Sequence, residues 1–368
     1  MKIAVYTIAL NEAQFVERWY ESAKEADYLL IADTGSTDLT KKYAQNYGIN
    51  VIDISIKPWR FDDARNASLA AIPADIDYCI ALDMDEQLQP GWRKAMEAVH
   101  PSVTRPRYQY TWSWNEDGTP GLIYGGDKIH ARKGYRWKHP VHEVLTCTGQ
   151  ENQAWIPLEI HHYPDVTKSR SQYLPLLELA IKEAPQDDRN TFYYARELFF
   201  NARTDEAIAE FKRHLALPTA TWAPERAASM RYLAKLEFNN RQEWLFKAIA
   251  EAPGHREARV ELAQHYYEQS NWACGFAMAM TALAIKDKPL EYLCESDAWG
   301  YLPYDLVAIC AYNLGLYKES VVYGTKAVEL APYIDRLKVN LSFYEGAAND
   351  SNATSSSGIH EDDITPIK

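Results

Sequence analysis

Two neighbouring carboxylates follow an apolar stretch of the sequence and are suited to bind a divalent cation. Asp83 and Asp85 come directly after the run DYCIAL, with one residue between them. Carboxylate oxygens are ligands that Mg²⁺ and Mn²⁺ prefer, and two carboxylates this close repel each other unless a cation or a proton lies between them. The pattern therefore favours a metal site at residues 83–85, with a solvated turn after a strand as the alternative.

A second group of polar side chains follows two earlier apolar runs. Asp33 ends the run YLLIAD, and Asn11 and Glu12 follow the run IAVYTIAL. A tight turn and a helix cap explain Gly35 and the hydroxyl residues after it. They do not explain Asp33, whose carboxylate at a strand end suits a hydrogen bond from a ribose or from a base N–H. Asn11 and Glu12 supply a second set of acceptors.

The elements that position these residues alternate strand and helix over about the first 100 residues. Apolar runs at 3–10, 28–33, 50–54 and 77–83 predict strands, and the stretches between them predict helices. This order predicts a parallel sheet covered by helices on both faces. Ligands of such sheets bind outside the carboxyl ends of the strands, which is where all three polar clusters lie.

The rest of the chain changes character twice. Residues 105–163 are rich in aromatic side chains and turn glycines, which predicts antiparallel strands and loops added to the parallel sheet. After that, apolar helices closed by proline recur with a period near 34, which is typical of tetratricopeptide repeats. We predict an α/β domain at 1–165, a helical-repeat domain at 166–346 and a disordered tail at 347–368. The closing prolines are Pro185, Pro218, Pro253, Pro289 and Pro332, and the last spacing, 43 residues, predicts an insertion.

The composition is that of an ordinary soluble protein, with 47% hydrophobic and 24% charged residues. We expect a cytoplasmic protein, because the sequence shows no signal peptide and no apolar stretch near the ~20 residues of a transmembrane helix. Five scattered cysteines without a CxxC pair argue against a disulfide framework or a cysteine-rich zinc site. A net charge of −12 disfavours nucleic acid as a partner.

Six short motifs follow one another along the first 163 residues. They are T-x-x-x-N-E after the first strand, D-T-G-S-T-D after the second, F-D-D-A-R-N before the third helix, L-D-M-D-E after the fourth strand, V-H-E-V-L and I-H-H-Y. Together they resemble the family-2 glycosyltransferases of GT-A fold, in the subgroup with C-terminal tetratricopeptide repeats. The resemblance covers about residues 1–340, and it departs at Asp62-Asp63, where relatives more often show one acidic and one small residue. It implies a GT-A domain followed by an all-α tetratricopeptide-like domain.

The resemblance also implies an activity and a set of site residues. The activity is metal-dependent, inverting transfer of a sugar from a nucleotide-sugar donor, with a UDP-sugar favoured over a GDP-sugar and Mn²⁺ or Mg²⁺ as the cation. One group of residues would line the nucleoside pocket, namely Thr7, Asn11, Glu12 and Asp33. Of the others, Arg65 would contact the base or the diphosphate, Asp83 the ribose or the metal, and Asp85 would be the principal metal ligand.

Two further residues are expected to complete the site. Glu143, in a loop after residues 138–140, is the candidate base for the acceptor, which agrees with the inverting stereochemistry that the resemblance implies. The alternative is that Glu143 orients a positively charged group. His161 or His162 is expected to join the metal ligands, because a neutral imidazole is an acceptable ligand beside carboxylates. Adjacent residues of a strand face opposite sides, so only one can point inward, and we choose His162.

Two other functions are weighed against glycosyl transfer. A sugar-phosphate nucleotidyltransferase needs a glycine-rich, basic loop after the first strand, whereas Leu10-Asn11-Glu12 is acidic and has no glycine. A non-catalytic repeat scaffold would have no reason to retain the complete set of acidic site residues. The acceptor stays open between a peptide, a protein and a glycan. The repeats are expected to offer an extended surface for a polypeptide or for a homodimer.

Overall fold

The chain folds into two compact units. A computed structural model describes residues 1–165 and 173–353, and it divides them into a unit at Met1–Arg203 and a second unit that begins at Thr204. The predicted order of an α/β domain followed by an all-helical region is confirmed. The first unit extends beyond the sheets and includes the first two helices of the helical region.

A parallel sheet forms the centre of the first unit. Its strands are β1 Ile3–Ala9, β2 Tyr28–Asp33, β3 Asn50–Asp53 and β4 Tyr78–Ala81, and the helices between them are α1 Val16–Ala23, α2 Thr40–Asn46 and α3 Phe61–Ala70. The strand order is β3-β2-β1-β4, and all neighbouring pairs are parallel, as predicted. Alternate residues of β1 enter two cores, with Ile3 and Val5 in one and Ala4 and Tyr6 in the other. Burial on both faces explains why the β1 sequence is a continuous apolar run.

The segment after the parallel sheet differs from the prediction. Its elements are β5 Glu86–Leu88, α4 Trp92–Glu97, β6 Arg105–Thr111, β7 Ile123–Gly126, β8 Ile129–Ala131, β9 Tyr135–Lys138, β10 Val144–Cys147 and β11 Gln153–His162. Only β8 joins the first sheet, as an antiparallel edge beside β4. The other strands form a separate sheet, β5-β11-β6-β7, and a hairpin, β9–β10. The expectation of purely antiparallel pairing is wrong for β6 and β11, which run parallel.

Hydrogen bonds join three buried side chains in the core of the first unit. The Trp137 indole Nε1 donates to the Tyr6 hydroxyl over 2.8 Å, and that hydroxyl lies 3.2 Å from His130 Nε2. His130 Nδ1 lies 2.8 Å from the Ala131 carbonyl, which only accepts, so Nδ1 carries the proton and Nε2 accepts from Tyr6. Every polar atom of the neutral ring is thereby satisfied. Burial lowers the pKa of His130 to about 4.

Acid should therefore destabilise the first unit through His130. An unfolded histidine titrates near pH 6.5, so between that pH and about 4 the unfolded chain binds a proton that the folded chain rejects. We expect the free energy of unfolding to fall by about 3 kcal/mol from this group as the pH drops from 7 to 4. Urea titrations at several pH values measure it. His130→Gln should be less stable at pH 7 and should lose this part of the pH dependence; an identical pH dependence in both proteins would contradict the assignment.

Two helices complete the first unit, and nine α-helices build the described part of the second. The first two are α5 Tyr173–Glu183 and α6 Asp188–Phe200. The others are α7 Thr204–Ala216, α8 Ala223–Leu236, α9 Arg241–Glu251, α10 Glu257–Glu268, α11 Trp272–Ala284, the single-turn α12 Ser296–Trp299, α13 Leu302–Asn313, α14 Tyr317–Leu330 and α15 Asp335–Ala353. From α8 onward each long helix packs on the next one along the chain, as in a helical-repeat solenoid. The predicted insertion corresponds to the segment around α12.

Three further expectations concern the whole chain. Helix α15 reaches Ala353, inside the segment predicted as a disordered tail, and residues beyond 353 lie outside the described ones. All five cysteines are free thiols. In the described ranges, no helix combines the length and the apolar character that crossing a bilayer requires.

Candidate active site

The loops that follow β1 and β2 are tied together at the carboxyl edge of the parallel sheet. Asn11 has a positive φ of 55°, and its Oδ1 accepts from the backbone N–H of Thr37 over 2.8 Å. In return, the Ser36 hydroxyl accepts from the Asn11 N–H, and the Thr40 hydroxyl accepts from the Glu12 N–H. The structure thus uses the Asn11 side chain to hold the two loops. Glu12 is buried beside it.

Asp33 has one carboxylate oxygen that belongs to the turn and one that does not. Its Oδ1 accepts from the backbone N–H groups of Gly35 at 2.9 Å and Ser36 at 2.8 Å. Gly35 has φ of 120°, a conformation that residues with a Cβ rarely adopt. The side chain is fully buried, and among the described residues Oδ2 has no hydrogen-bond partner. A buried acceptor without a donor is costly, so this oxygen is suited to a ligand N–H or O–H.

Arg65, on α3, joins two of the predicted site carboxylates. Its Nη2 lies 2.8 Å from Asp83 Oδ1, and its Nε donates to Glu143. The guanidinium lies over the Trp137 ring, 4.9 Å from the ring centroid, and is almost fully buried. Among the described residues its Nη1 has no hydrogen-bond partner. Arg65 is therefore held rigidly on two sides and has one donor left for a bound group.

Asp83 is neutralised from both sides. Besides Arg65, the Lys128 ammonium lies 2.7 Å from Asp83 Oδ2 and 2.8 Å from Glu86 Oε1. Burial opposes ionisation of Asp83, but Arg65 and Lys128 outweigh it and hold the pKa of this carboxyl well below its usual range. Burial likewise opposes the charge on Lys128, and the two carboxylates keep its pKa well above the ordinary value. Both oxygens of Asp83 are thus engaged by cationic side chains.

Asp85 and His162 face each other at the same edge. The His162 Nε2 lies 3.5 Å from Asp85 Oδ2, and the ring stacks on Trp112 with centroids 4.3 Å apart. His162 Nδ1 lies 2.9 Å from the Trp112 carbonyl, so Nδ1 carries a proton. Burial opposes charging of the ring, yet the contact with Asp85 outweighs it and raises the pKa of His162. His161 faces the other side of β11, toward Glu159.

This pair fits a divalent cation. With Nδ1 protonated, the neutral His162 ring turns the lone pair of Nε2 toward a carboxylate, an arrangement that a proton or a cation between them stabilises. A backbone carbonyl on the second ring nitrogen is also the usual way in which a metal-ligating histidine is oriented. The described residues contain no cluster of three or more His, Cys, Asp or Glu side chains spaced for a metal. Asp85 and His162 would therefore need oxygens of a bound ligand to complete a coordination shell.

The structure brings the predicted residues into two groups. One group is Arg65, Asp83 and Glu143, and the other is Asp85 and His162. Thr7 and Asp33 lie within the last three residues of β1 and β2. Among the aromatic residues of 105–163, Trp137 belongs to the core, whereas Trp112 is 37% exposed beside His162.

Sequence reasoning missed Lys128 and Glu86. The Glu86 carboxylate accepts from Lys128, from the Tyr110 hydroxyl over 2.6 Å and from the Asp83 N–H over 2.8 Å, and it is almost fully buried. Glu86 directly follows the paired carboxylates, so it was visible only as one more acidic residue of a turn. Lys128 directly precedes the short apolar strand β8. A lysine next to a buried edge strand is the sequence feature that could have indicated a paired charge there.

Comparisons with known proteins agree with the motifs. Residues 4–142 match the family described as Glycosyl transferase family 2. A curated protein of Rickettsia bellii (strain RML369-C), described as an uncharacterized glycosyltransferase, is 32% identical over 108 residues, which are 29% of this chain. The chain spans about a third of that relative's length (35%).

Solved structures with partial overlap fall into two groups. Glucosyl-3-phosphoglycerate synthase from Mycobacterium tuberculosis, crystallised with Mn²⁺, UDP and phosphoglyceric acid, is 24% identical with a TM-score of 0.26 and covers 30% of this chain and 43% of its own. Yeast Tom70 is 15% identical with a TM-score of 0.37, covering 51% of this chain and 38% of its own. The resemblance drawn from the six motifs is confirmed by the family match. The match, and with it the likeness to glycosyl transferase family 2, covers residues 4–142 of this chain.

Proposed function

We propose that the chain is a metal-dependent, inverting glycosyltransferase that moves a sugar from a nucleotide sugar, a UDP-sugar by preference, to an acceptor hydroxyl. The observation that carries this proposal is the pair formed by Asp85 and His162, 3.5 Å apart at the carboxyl edge of the parallel sheet in a family-2 domain. That edge is where open α/β sheets bind their ligands. The acceptor is proposed to be a peptide, a protein or a glycan.

The nucleoside is proposed to bind near the ends of β1 and β2, between Asp33 and Arg65. A uracil ring offers one N–H donor and two carbonyl acceptors. The structure offers a buried acceptor, Asp33 Oδ2, and a buried donor, Arg65 Nη1, both without partners among the described residues. Thr7 and Glu12 would line the pocket, and Thr7 is also fully buried. Asn11 would act indirectly, because its side chain holds the loops that shape the pocket.

The diphosphate is proposed to lie beside Asp85 and His162. These side chains would hold Mn²⁺ or Mg²⁺, and the cation when bound would neutralise charge that develops on the departing nucleoside diphosphate. Asp83 keeps Arg65 and Lys128 in place, because both of its oxygens are engaged by them. Its part in this arrangement is to fix two positive charges near the diphosphate, which gives preorganised electrostatic stabilisation.

Glu143 is proposed as the base. One of its oxygens accepts from Arg65, which keeps the carboxylate oriented, and the acceptor hydroxyl would donate to the carboxylate. Glu143 takes the hydroxyl proton as the acceptor oxygen bonds to the anomeric carbon. The bond between that carbon and the diphosphate oxygen breaks, and the electron pair leaves with the nucleoside diphosphate. Attack from the face opposite the leaving group inverts the anomeric centre.

The donor can be identified by a thermal-shift screen. UDP-glucose, UDP-N-acetylglucosamine, UDP-galactose and GDP-mannose are compared with and without Mn²⁺, because a ligand that binds only the native state raises the midpoint of unfolding. We expect one or more UDP-sugars to stabilise the protein, and only with Mn²⁺ present. A nucleotidyltransferase would instead release pyrophosphate from a nucleoside triphosphate and a sugar phosphate. Absence of stabilisation by every nucleotide sugar would favour a non-catalytic scaffold.

Asp33→Asn should weaken nucleotide binding without disturbing the turn. Asparagine keeps an oxygen for the N–H groups of Gly35 and Ser36, and it replaces the unpartnered acceptor by a donor. We expect the affinity for UDP to fall on the order of 10- to 100-fold, as for loss of a hydrogen bond to a charged group. Calorimetry with UDP and GDP in Mn²⁺ measures it. Asp53→Asn is the matched control, since Asp53 pairs with Asp33 in register but is exposed; equal UDP affinity in both variants would remove Asp33 from the pocket.

A further inference from the structure

The loop that carries Glu143 has an unusual backbone. It joins β9 to β10, and within it two residues other than glycine have positive φ, 81° at His139 and 50° at His142. Such left-handed conformations are unfavourable for residues with a Cβ and persist where the surroundings determine them. His142 immediately precedes Glu143, so its backbone angles set the direction from which the carboxylate leaves the chain.

One side of this loop is fixed by α3. The Phe61 N–H donates to the Pro140 carbonyl over 2.9 Å. Asn66 makes two hydrogen bonds of 2.9 Å with the backbone of Trp137, the last residue but one of β9. At the other end, Glu143 accepts from Arg65 of the same helix. These contacts fix residues of ordinary backbone conformation. The two left-handed residues, His139 and His142, are contacted by a different helix.

Both histidines contact α6. The Asn190 amide lies 2.9 Å from His139 Nδ1, and His139 Nε2 lies 3.5 Å from Asp187, which precedes the helix and caps it. The Tyr193 ring stacks on His142 with centroids 4.1 Å apart and planes 20° from parallel. Asn190 and Tyr193 are themselves buried, so α6 presents a fixed surface to the loop. Each left-handed residue therefore has its own partner on this helix.

We propose that Tyr193 and Asn190 of α6 are positioning residues for Glu143. They hold the left-handed conformations of His142 and His139, and through them the carboxylate stays in contact with Arg65 and in place for the acceptor. The proposal rests on the base role given to Glu143 above. In this proposal α6, which belongs to the region predicted as helical repeats, helps to position the catalytic base. The sequence motifs assigned that region only a surface for the acceptor.

The test compares three single variants of the full-length protein. Tyr193→Leu removes the stacked ring, Tyr193→Phe keeps it, and Leu198→Ala opens a fully buried position of the same helix. UDP release from UDP-glucose with Mn²⁺ serves as the assay. A displacement of about 1 Å can cost on the order of 100-fold in rate, so we expect kcat of Tyr193→Leu to fall by about that factor with KM for UDP-glucose unchanged. Tyr193→Phe should restore kcat, and Leu198→Ala should lower thermal stability with kcat retained.

A double-mutant cycle separates positioning from general destabilisation. If Tyr193 acts through Glu143, then Tyr193→Leu should have no further effect on kcat in a Glu143→Gln background. Additive losses would overturn the proposal. If Glu143→Gln alone keeps full activity, Glu143 is not the base. That result contradicts the proposed function and is distinct from additive losses, which contradict the positioning role of Tyr193.

Hydrogen exchange gives a readout that needs no activity. Backbone amides of residues 139–146 should lose protection in Tyr193→Leu and keep it in Tyr193→Phe and Leu198→Ala. Unchanged protection in Tyr193→Leu would overturn the proposal whatever the assay shows.

Discussion

Replacement of Asp85 by asparagine is expected to abolish sugar transfer and to leave the fold intact. The side chain is partly exposed in a loop, and its backbone carbonyl keeps its bond from the Tyr163 N–H in the variant. A neutral amide opposite His162 provides a much weaker site for a divalent cation than a carboxylate does. Because bound metal supplies several kcal/mol of charge stabilisation, turnover should fall on the order of 1000-fold or more.

Two measurements check this expectation. UDP release from UDP-glucose reports turnover, and electron paramagnetic resonance of Mn²⁺ reports metal binding directly. Asp75→Asn is the control, because Asp75 is an exposed carboxylate paired with Lys2 on the surface. Donor hydrolysis that continues undiminished in excess EDTA would exclude a metal role for Asp85 and His162 together.

Glu143→Gln should bind the donor normally and fail to transfer. Glutamine has the same shape and keeps an oxygen for the Arg65 Nε–H, but it accepts no proton from the acceptor. Loss of a general base typically costs ~100- to 10,000-fold in rate, so kcat should fall within that range with UDP affinity unchanged. Steady-state kinetics and UDP calorimetry on the same preparation measure both quantities.

The matched control is Glu183→Gln, which removes the charge from another Glu–Arg pair of the same unit, formed with Arg60. It should change neither quantity. Weakened UDP binding in Glu143→Gln would show that Glu143 serves mainly to orient Arg65. Near-full transfer would move the search for the base to Asp127, half exposed near Arg105, and then to Glu116.

The sequence predicted the parallel sheet because its strands leave a local trace. Each is a short apolar run with polar residues after it. Burial on both faces explains the run, and the position of the strand ends at the ligand-binding edge explains the polar residues. Alternation along a strand is a local property as well, and the structure places His162 against Asp85; its role as a metal ligand stays a prediction.

The features that the sequence did not predict depend on contacts between residues that are distant in sequence. The parallel pairing of β6 with β11 joins segments about 50 residues apart, and nothing in either segment specifies its neighbour. The contact of Lys128 with Asp83 and Glu86 has the same origin, as does the contact of α6 with the Glu143 loop. A strand or helix pattern gives the buried face of an element but not the residues that cover it.

The place of α6 in the first unit has a consequence for protein synthesis. About 38 residues separate the end of β11 from the end of α6. At ribosomal rates of about 5–20 residues per second, roughly 2–8 s pass between completion of the last strand and completion of the helix. During that interval the nascent chain holds every strand of the sheets, while His139 and His142 still lack the surface that fixes them. A ribosome-bound chain arrested so that β11 but not α6 has left the exit tunnel should therefore expose the Glu143 loop to protease, and one arrested so that α6 has also emerged should protect it.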